Sequence, residues 1–306
     1  MKPDLPDRSY RITVGEQAGA GLRRAARGRA DAALDRLHVN AQADAATAVH
    51  DARKDLKKLR SLLRLVRDDL GERRYRSQNR RYRAAARQLS PAREAEVNLE
   101  TLTALIACYP AEALGAEALR DALEQERGRL ATSGGALDER IARATADIAG
   151  GAAGIDDWPL DGDDFDLVRA GLDRAYKRGR RGLRTVRDDP SAEAVHAWRK
   201  RVKDLWYQLR LLQGAWPPVL KTAAKEAHEL ADLLGDHHDL SVLVEKARAQ
   251  APDDPDTDML ATLAEQRQAE LLADALQLGD RLYAEKPSRF TRRIERYWRA
   301  WRQPPQ

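Results

Sequence analysis

The stretch AVHDARKDLKKLRSLLRLV, Ala48 to Val66, returns later in the chain as AVHAWRKRVKDLWYQLRLL, Ala194 to Leu212. His50 aligns with His196, Arg53 with Arg199, Lys54 with Lys200, Lys57 with Lys203 and Arg64 with Arg210, all at one offset. A repeat of that length implies two copies of one structural unit. Beside its leucines it keeps basic residues, so the shared surface of the two copies is where function is expected.

At about 100° per residue, His50, Arg53, Lys57, Arg60, Arg64 and Arg67 fall on one helical stripe. Leu56, Leu59, Leu63, Val66 and Leu70 fall on the adjoining face, the spacing of a helix that buries an apolar side. The second copy repeats this with His196, Arg199, Lys203 and Arg210 beside Val202, Leu205, Leu209 and Leu212. Trp206 and Tyr207 stand there in place of Arg60 and Ser61, so the second copy is more aromatic and less charged.

Working outward, a helix over Gly15 to Leu37 precedes the repeat helix, which is expected to run to Leu70 and end at Gly71. A third helix over Glu72 to Leu89 carries Arg73, Arg76, Arg80, Arg83 and Arg87 as a second arginine stripe. Ser90 and Pro91 then read as the N-cap and first position of a new helix. Pro110 and Gly134-Gly135 break later helices. The Gly, Asp and Pro-rich stretch Gly150 to Asp164 is the best boundary, which predicts a first bundle over 1–149, a linker over 150–163 and a second bundle over 164–306. In that second unit a helix runs from Asp164 to Arg187, Asp189-Pro190 caps the repeat helix, and Gly214 and Pro217-Pro218 end it. Lys221, Lys225 and His228 then align with Arg76, Arg80 and Arg83, and His238-Asp239 with Arg93-Glu94. The terminal SRFTRRIERYWRAWR adds Arg289, Arg292, Arg296 and Arg299 at the same spacing, with Tyr297, Trp298 and Trp301 read as packing residues.

The chain has 306 residues, 42% hydrophobic and 34% charged. That is enough to bury a sizeable core under a heavily charged surface. Few aromatics, abundant Ala, Leu and Arg and no convincing strand point to helices almost throughout. One cysteine, Cys108, excludes an intramolecular disulfide or a Cys-rich zinc site and suits a reducing compartment. No signal-like segment or bilayer-spanning run is read, so a cytoplasmic location and no membrane partner are expected. The net charge of +5 understates the local one. His50 to Arg93 holds fifteen Lys or Arg against five Asp or Glu, whereas Asp253 to Asp280 holds eight acids and one arginine. Such segregation concentrates anionic ligands at the positive end.

The two His-x-x-Arg-Lys helices, the LSPARE and LGDHHD segments and the terminal aromatic-basic helix together resemble the conserved histidine α-helical domain, CHAD, over nearly the whole chain. The resemblance implies an all-α fold of two four-helix bundles related by internal pseudo-twofold symmetry. It also implies binding of inorganic polyphosphate in a basic central cavity, with no cofactor, no metal and no catalytic residue. Position by position, His50, Arg53, Lys54, Lys57, His196, Arg199, Lys200 and Lys203 match the family's basic motifs. Around them, Arg60, Arg64, Arg76, Arg80, Arg83, Arg87, Arg93, Arg210, Lys221, Lys225, His228, His238, Arg292 and Arg296 complete the expected polyphosphate-binding set. His238 departs from the arginine common in the family, and Trp206 from the Arg60 of the first copy. No alternating-glutamate motif of a CYTH domain is present.

The physical case stands beside the resemblance. A linear phosphate polymer offers a line of charges and no bases, so its receptor needs an array of long cations rather than shaped pockets. Arginine supplies bidentate contacts and lysine a point charge. A single basic helix is most often a solvated face paired with acids; several with one spacing, two of them in register across a repeat, are not. For His50 and His196 a structural role and a phosphate contact stand side by side. A dense positive field should lower their pKa, and bound phosphate should raise it.

Two other readings remain. His196, Asp236, His237, His238 and Asp239 hold the ingredients of an HD-type metal phosphohydrolase, although the first copy has no His-Asp pair and consecutive histidines diverge by about 100° on a helix. Basic stripes also fit a nucleic-acid backbone, yet no helix-turn-helix, zinc or RNA-binding motif accompanies them. Protein partners, chain-length preference and biological purpose, granule targeting included, are not legible.

Overall fold

The computed structural model describes residues 7–39, 44–110, 116–132, 134–162, 164–252 and 254–303, and among these there are helices and no strand. In chain order the helices are α1 (Ala18–Val39), α2 (Ala45–Leu65), α3 (Arg67–Leu70), α4 (Glu72–Gln88), α5 (Ser90–Cys108), α6 (Glu117–Thr132) and α7 (Gly134–Ala152). After a connection come α8 (Asp166–Asp188), α9 (Ala192–Leu212), a 3₁₀ turn (Gln213–Ala215), α10 (Pro217–Gln250), α11 (Pro255–Leu282) and α12 (Pro287–Arg302). The fold is all-α, as the sequence implies.

The repeat helices are α2 and α9, and they pack against each other. Asp44 caps α2 by accepting from the Thr47 amide at 3.1 Å. The cap of α9 is Ser191, which accepts from Ala194 N at 3.4 Å, while Asp189 accepts from Ser191 N at 3.2 Å. The cap expected at Asp189-Pro190 is therefore displaced, because the hydroxyl nearer the helix reaches its first free amides. Ser90 is likewise not a cap. It is the first residue of α5, and its hydroxyl donates back to Ala86 O at 3.2 Å. The repeat helix does not run unbroken to Leu70 either: α2 stops at Leu65, α3 adds one turn, and Gly71 at φ +73° turns the chain into α4. Pro217 and Pro218 open α10 rather than only closing α9, since proline lacks just the amide that a first turn leaves unused.

Around α2 and α9, α1 and α4 flank α2, while α8 and α10 flank α9. The main core draws on both halves, with Leu56, Leu59, Leu62 and Leu63 of α2 meeting Trp198, Val202, Leu205 and Leu209 of α9 in one continuous cluster. A second, smaller core joins Leu99, Leu102 and Leu105 of α5 and Leu123 of α6 to Leu240 and Leu243 of α10 and Leu260 and Leu263 of α11. Each core thus takes residues from both sides of the 150–163 segment. That segment is packed rather than a loose tether. Its first three residues finish α7, Ile155, Trp158 and Leu160 are fully buried, and Trp158 Nε1 donates to Gln78 Oε1 at 3.0 Å. Trp298 is buried in the main core and meets Trp301 edge-on at 5.4 Å, the packing role expected of the terminal aromatics.

Candidate functional site

The pairing of α9 with α10 brings His196 ring-to-ring with His238, 3.9 Å between centroids and tilted by 37°. Arg199, one turn on from His196, lies 3.7 Å from the Asp239 carboxylate. It fits there because Gly235 has no side chain: a Cβ at that position would begin 2.6 Å from Arg199 Nη2. Burial pushes His196 down to about 4, helped by His238, Lys200, Arg199 and Lys203. The direction is the one expected, with burial the larger cause and the positive field the lesser. His196 Nδ1 is buried with no hydrogen-bond partner among the described residues. Burial likewise lowers His238, with Arg199 and Lys200 lowering it further against the opposing pull of Asp239. Lys203 is pushed down to about 8 by burial and by Arg199, while Asp232, Asp239 and Asp236 act the other way.

From the first half, α2 and α4 present their own cations. Arg53 is held by Ala86 O at 2.9 Å and Ser90 Oγ at 2.5 Å, so its guanidinium is braced at the α4–α5 junction. Arg60 donates to Asn79 Oδ1 at 3.1 Å, and burial, then Arg64 and Arg83, lower it to about 10. Lys57, Arg80, Arg83 and Arg87 are exposed. The halves meet electrically at Arg83, which also acts on Lys200: burial, Arg201 and then Arg83 lower the Lys200 ammonium.

Other expected residues have different employment. Arg64 reaches across to Asp204 Oδ1 at 2.5 Å, beside a bond from Ser61 Oγ to Asp204 O at 3.1 Å, and so ties α2 to α9. Arg210 lies over the Trp206 ring at 5.7 Å. Trp206 is itself stacked on His228 at 3.9 Å and on Tyr207 at 4.4 Å, and His228 Nδ1 is 2.7 Å from Asp232. Lys54 pairs with Asp51 at 3.5 Å, Lys225 with Glu229 at 3.4 Å, and Arg76 with Glu72. Lys221 is exposed at the start of α10, and His50 is half-buried on α2. Arg292 and Arg296 sit on α12, which packs on α8 and the 3₁₀ turn, away from the α2, α4, α9 and α10 surface. The main helix partner of α12 among the described residues is α8, so these two arginines are not among the side chains the cluster brings together. The side chain of Arg93 lies outside the described residues.

Sequence reasoning missed Lys58 and Asp55. The Asp55 carboxylate is fully buried and takes Arg29 at 2.9 Å, Lys58 at 3.2 Å and Arg36. Burial, then Arg29 and Arg210, hold Lys58 down at about 8. An acid on the apolar side of a basic helix was the available signal. Among the described residues no group of three or more His, Cys, Asp or Glu side chains could hold a metal ion. None of the helices described is long and apolar enough to cross a membrane.

The comparison with known families decides the assignment, for residues 28–248 match the CHAD domain. The chain belongs to the CHAD domain family. A solved structure, the CHAD domain from the plant Ricinus communis, is similar to this one with a TM-score of 0.60 at 17% identity, covering 97% of this chain and 96% of that one. At that identity the likeness speaks for the CHAD fold alone. No curated protein matches the sequence.

Proposed function

We propose that this CHAD chain binds inorganic polyphosphate on the cationic surface formed by α2, α4, α9 and α10, without a chemical step. The observation that carries the reading is the crowding of cations along α4 and α9, with Arg83 of the first half pressing on Lys200 of the second. Arg83 acts on both Arg60 and Lys200, and Arg199 lowers both Lys203 and His196. A fold that holds its cations at a cost to their protonation has a surface ready for a multiply charged anion, which relieves that cost on arrival. The Trp206 ring of α9 is already stacked by Tyr207 and His228, which favours a ligand without bases over one that needs a stacking platform. Recruitment to polyphosphate granules in the cytoplasm is a use consistent with the same reading.

The test is calorimetric titration with long-chain polyphosphate at two salt concentrations, with charge-matched single-stranded RNA as competitor and phosphate release followed in the same sample. The expected result is binding that weakens by at least about tenfold on a fourfold rise in salt, by analogy with counterion release from nucleic acids, survives RNA and releases no phosphate. Displacement by RNA, or metal-dependent phosphate release, would replace this reading with the nucleic-acid or hydrolase one.

A further inference from the structure

On the opposite flank of α4 from Arg76, Arg80 and Arg83, a recess of about 550 Å³ opens between the start of that helix and the end of α7. Ligand pockets run to roughly 300–1,000 Å³, so the recess has room for a small molecule. The bend at Gly71 sets its edge, and Gly150 and Gly154 at the end of α7 leave its wall bare. A Cβ at Gly150 would begin 2.6 Å from Arg81 Nη1, so the bare glycine leaves room for that guanidinium at the wall.

The chemistry of the lining is one-sided. Gln78, only 7% exposed, is oriented by Trp158: an indole N–H can only donate, so the Gln78 oxygen accepts it at 3.0 Å and the amide NH₂ is left facing Gly154. That NH₂ has no partner among the described residues, and neither do the guanidinium groups of Arg73, Arg74 and Arg81. Ser77 adds a hydroxyl, and the first turn of α4 adds backbone N–H groups that no intrahelical carbonyl takes. The one carboxylate on the lining, Glu72, is already held by Arg67 at 2.7 Å and by Arg76. One buried amide donor ringed by solvent-facing guanidinium groups suits a ligand made of acceptors.

We propose that this recess is a second anion site, separate from the polymer surface, that takes a terminal phosphoryl group of a small phosphorylated compound or of a chain end. Arg74 and Arg81 clamp the phosphoryl oxygens, and Gln78 Nε2 donates from the floor. The site stands whether or not polyphosphate is the ligand of the α9–α10 surface.

Pyrophosphate is the probe, at physiological ionic strength, with the Trp158 indole N–H resonance as the local readout. The resonance should shift saturably, and Arg74→Gln/Arg81→Gln, both exposed positions, should weaken the apparent affinity by about tenfold or more, as expected for two lost charge-assisted contacts. The pair Arg199→Gln/Lys203→Gln should leave the titration in place. Displacement of pyrophosphate by saturating long-chain polyphosphate marks the occupant as a chain end, and undisturbed binding marks it as a small molecule. An indole resonance that does not move, or a shift that survives Arg74→Gln/Arg81→Gln, overturns the proposal.

Discussion

At the scale of single residues, the clearest consequence is the cost of keeping His196 and Lys203 where they are. His196 has a folded pKa of about 4 against 6.5 ordinarily. As pH falls through 6.5 the unfolded chain takes the proton and the folded one does not, so this group removes stability between pH 6.5 and 4. His196→Gln should flatten that part of the melting profile, and bound polyphosphate, which favours the imidazolium, should do the same in the unmutated chain. Lys203, at about 8 against 10.5, carries its penalty below pH 8 and sheds it as pH rises to 10.5. Lys203→Met should therefore raise stability at neutral pH by ~1–3 kcal/mol after screening, read as a higher melting temperature, while weakening polyphosphate binding. A melting temperature that falls would mean that the ammonium stabilises the fold rather than burdening it. His196, Arg199 and Lys203 were legible because the repeat isolates them from the surrounding leucines. The employment of Arg64 and Arg210 was not, since Asp204 and Trp206 meet them only once helices pack.

At the scale of elements, the crossing of α8 over α2 is set by a glycine. A Cβ at Gly171 would begin 1.9 Å from the Leu65 carbonyl oxygen, which is backbone and cannot step aside. Gly171→Ala should cost ~3 kcal/mol or more by forcing these helices apart, read as a drop in the denaturation midpoint with an unchanged slope. A midpoint within error of the parent would show that the two helices can separate freely. Elements were mostly legible from apolar spacing, but their ends were not. The Ser90-Pro91 pair splits α4 from α5, whereas the aligned stretch of the second half runs on as the single helix α10. The caps went to whichever hydroxyl or carboxylate reached a free amide, a matter of geometry within one turn.

At the scale of the whole molecule, charge is segregated as the sequence implies. The basic stripes lie on α2, α4 and α9, and α11 carries the acids of the 255–282 stretch. What the sequence could not show is that both cores are shared between the halves, because hydrophobic pattern marks which face is buried and not against what. For the same reason spacing alone does not say whether the arginine stripe of α12 joins the others. The most direct measurement is therefore a matched charge removal: polyphosphate affinity of Arg199→Gln/Lys203→Gln against that of Arg292→Gln/Arg296→Gln, two cations lost in each. The α9 pair should weaken binding by about tenfold or more and the α12 pair by less than about threefold, the difference between close contacts and screened distant charge. Equal losses would contradict a site on the α2, α4, α9 and α10 surface and leave only a diffuse attraction to a basic protein.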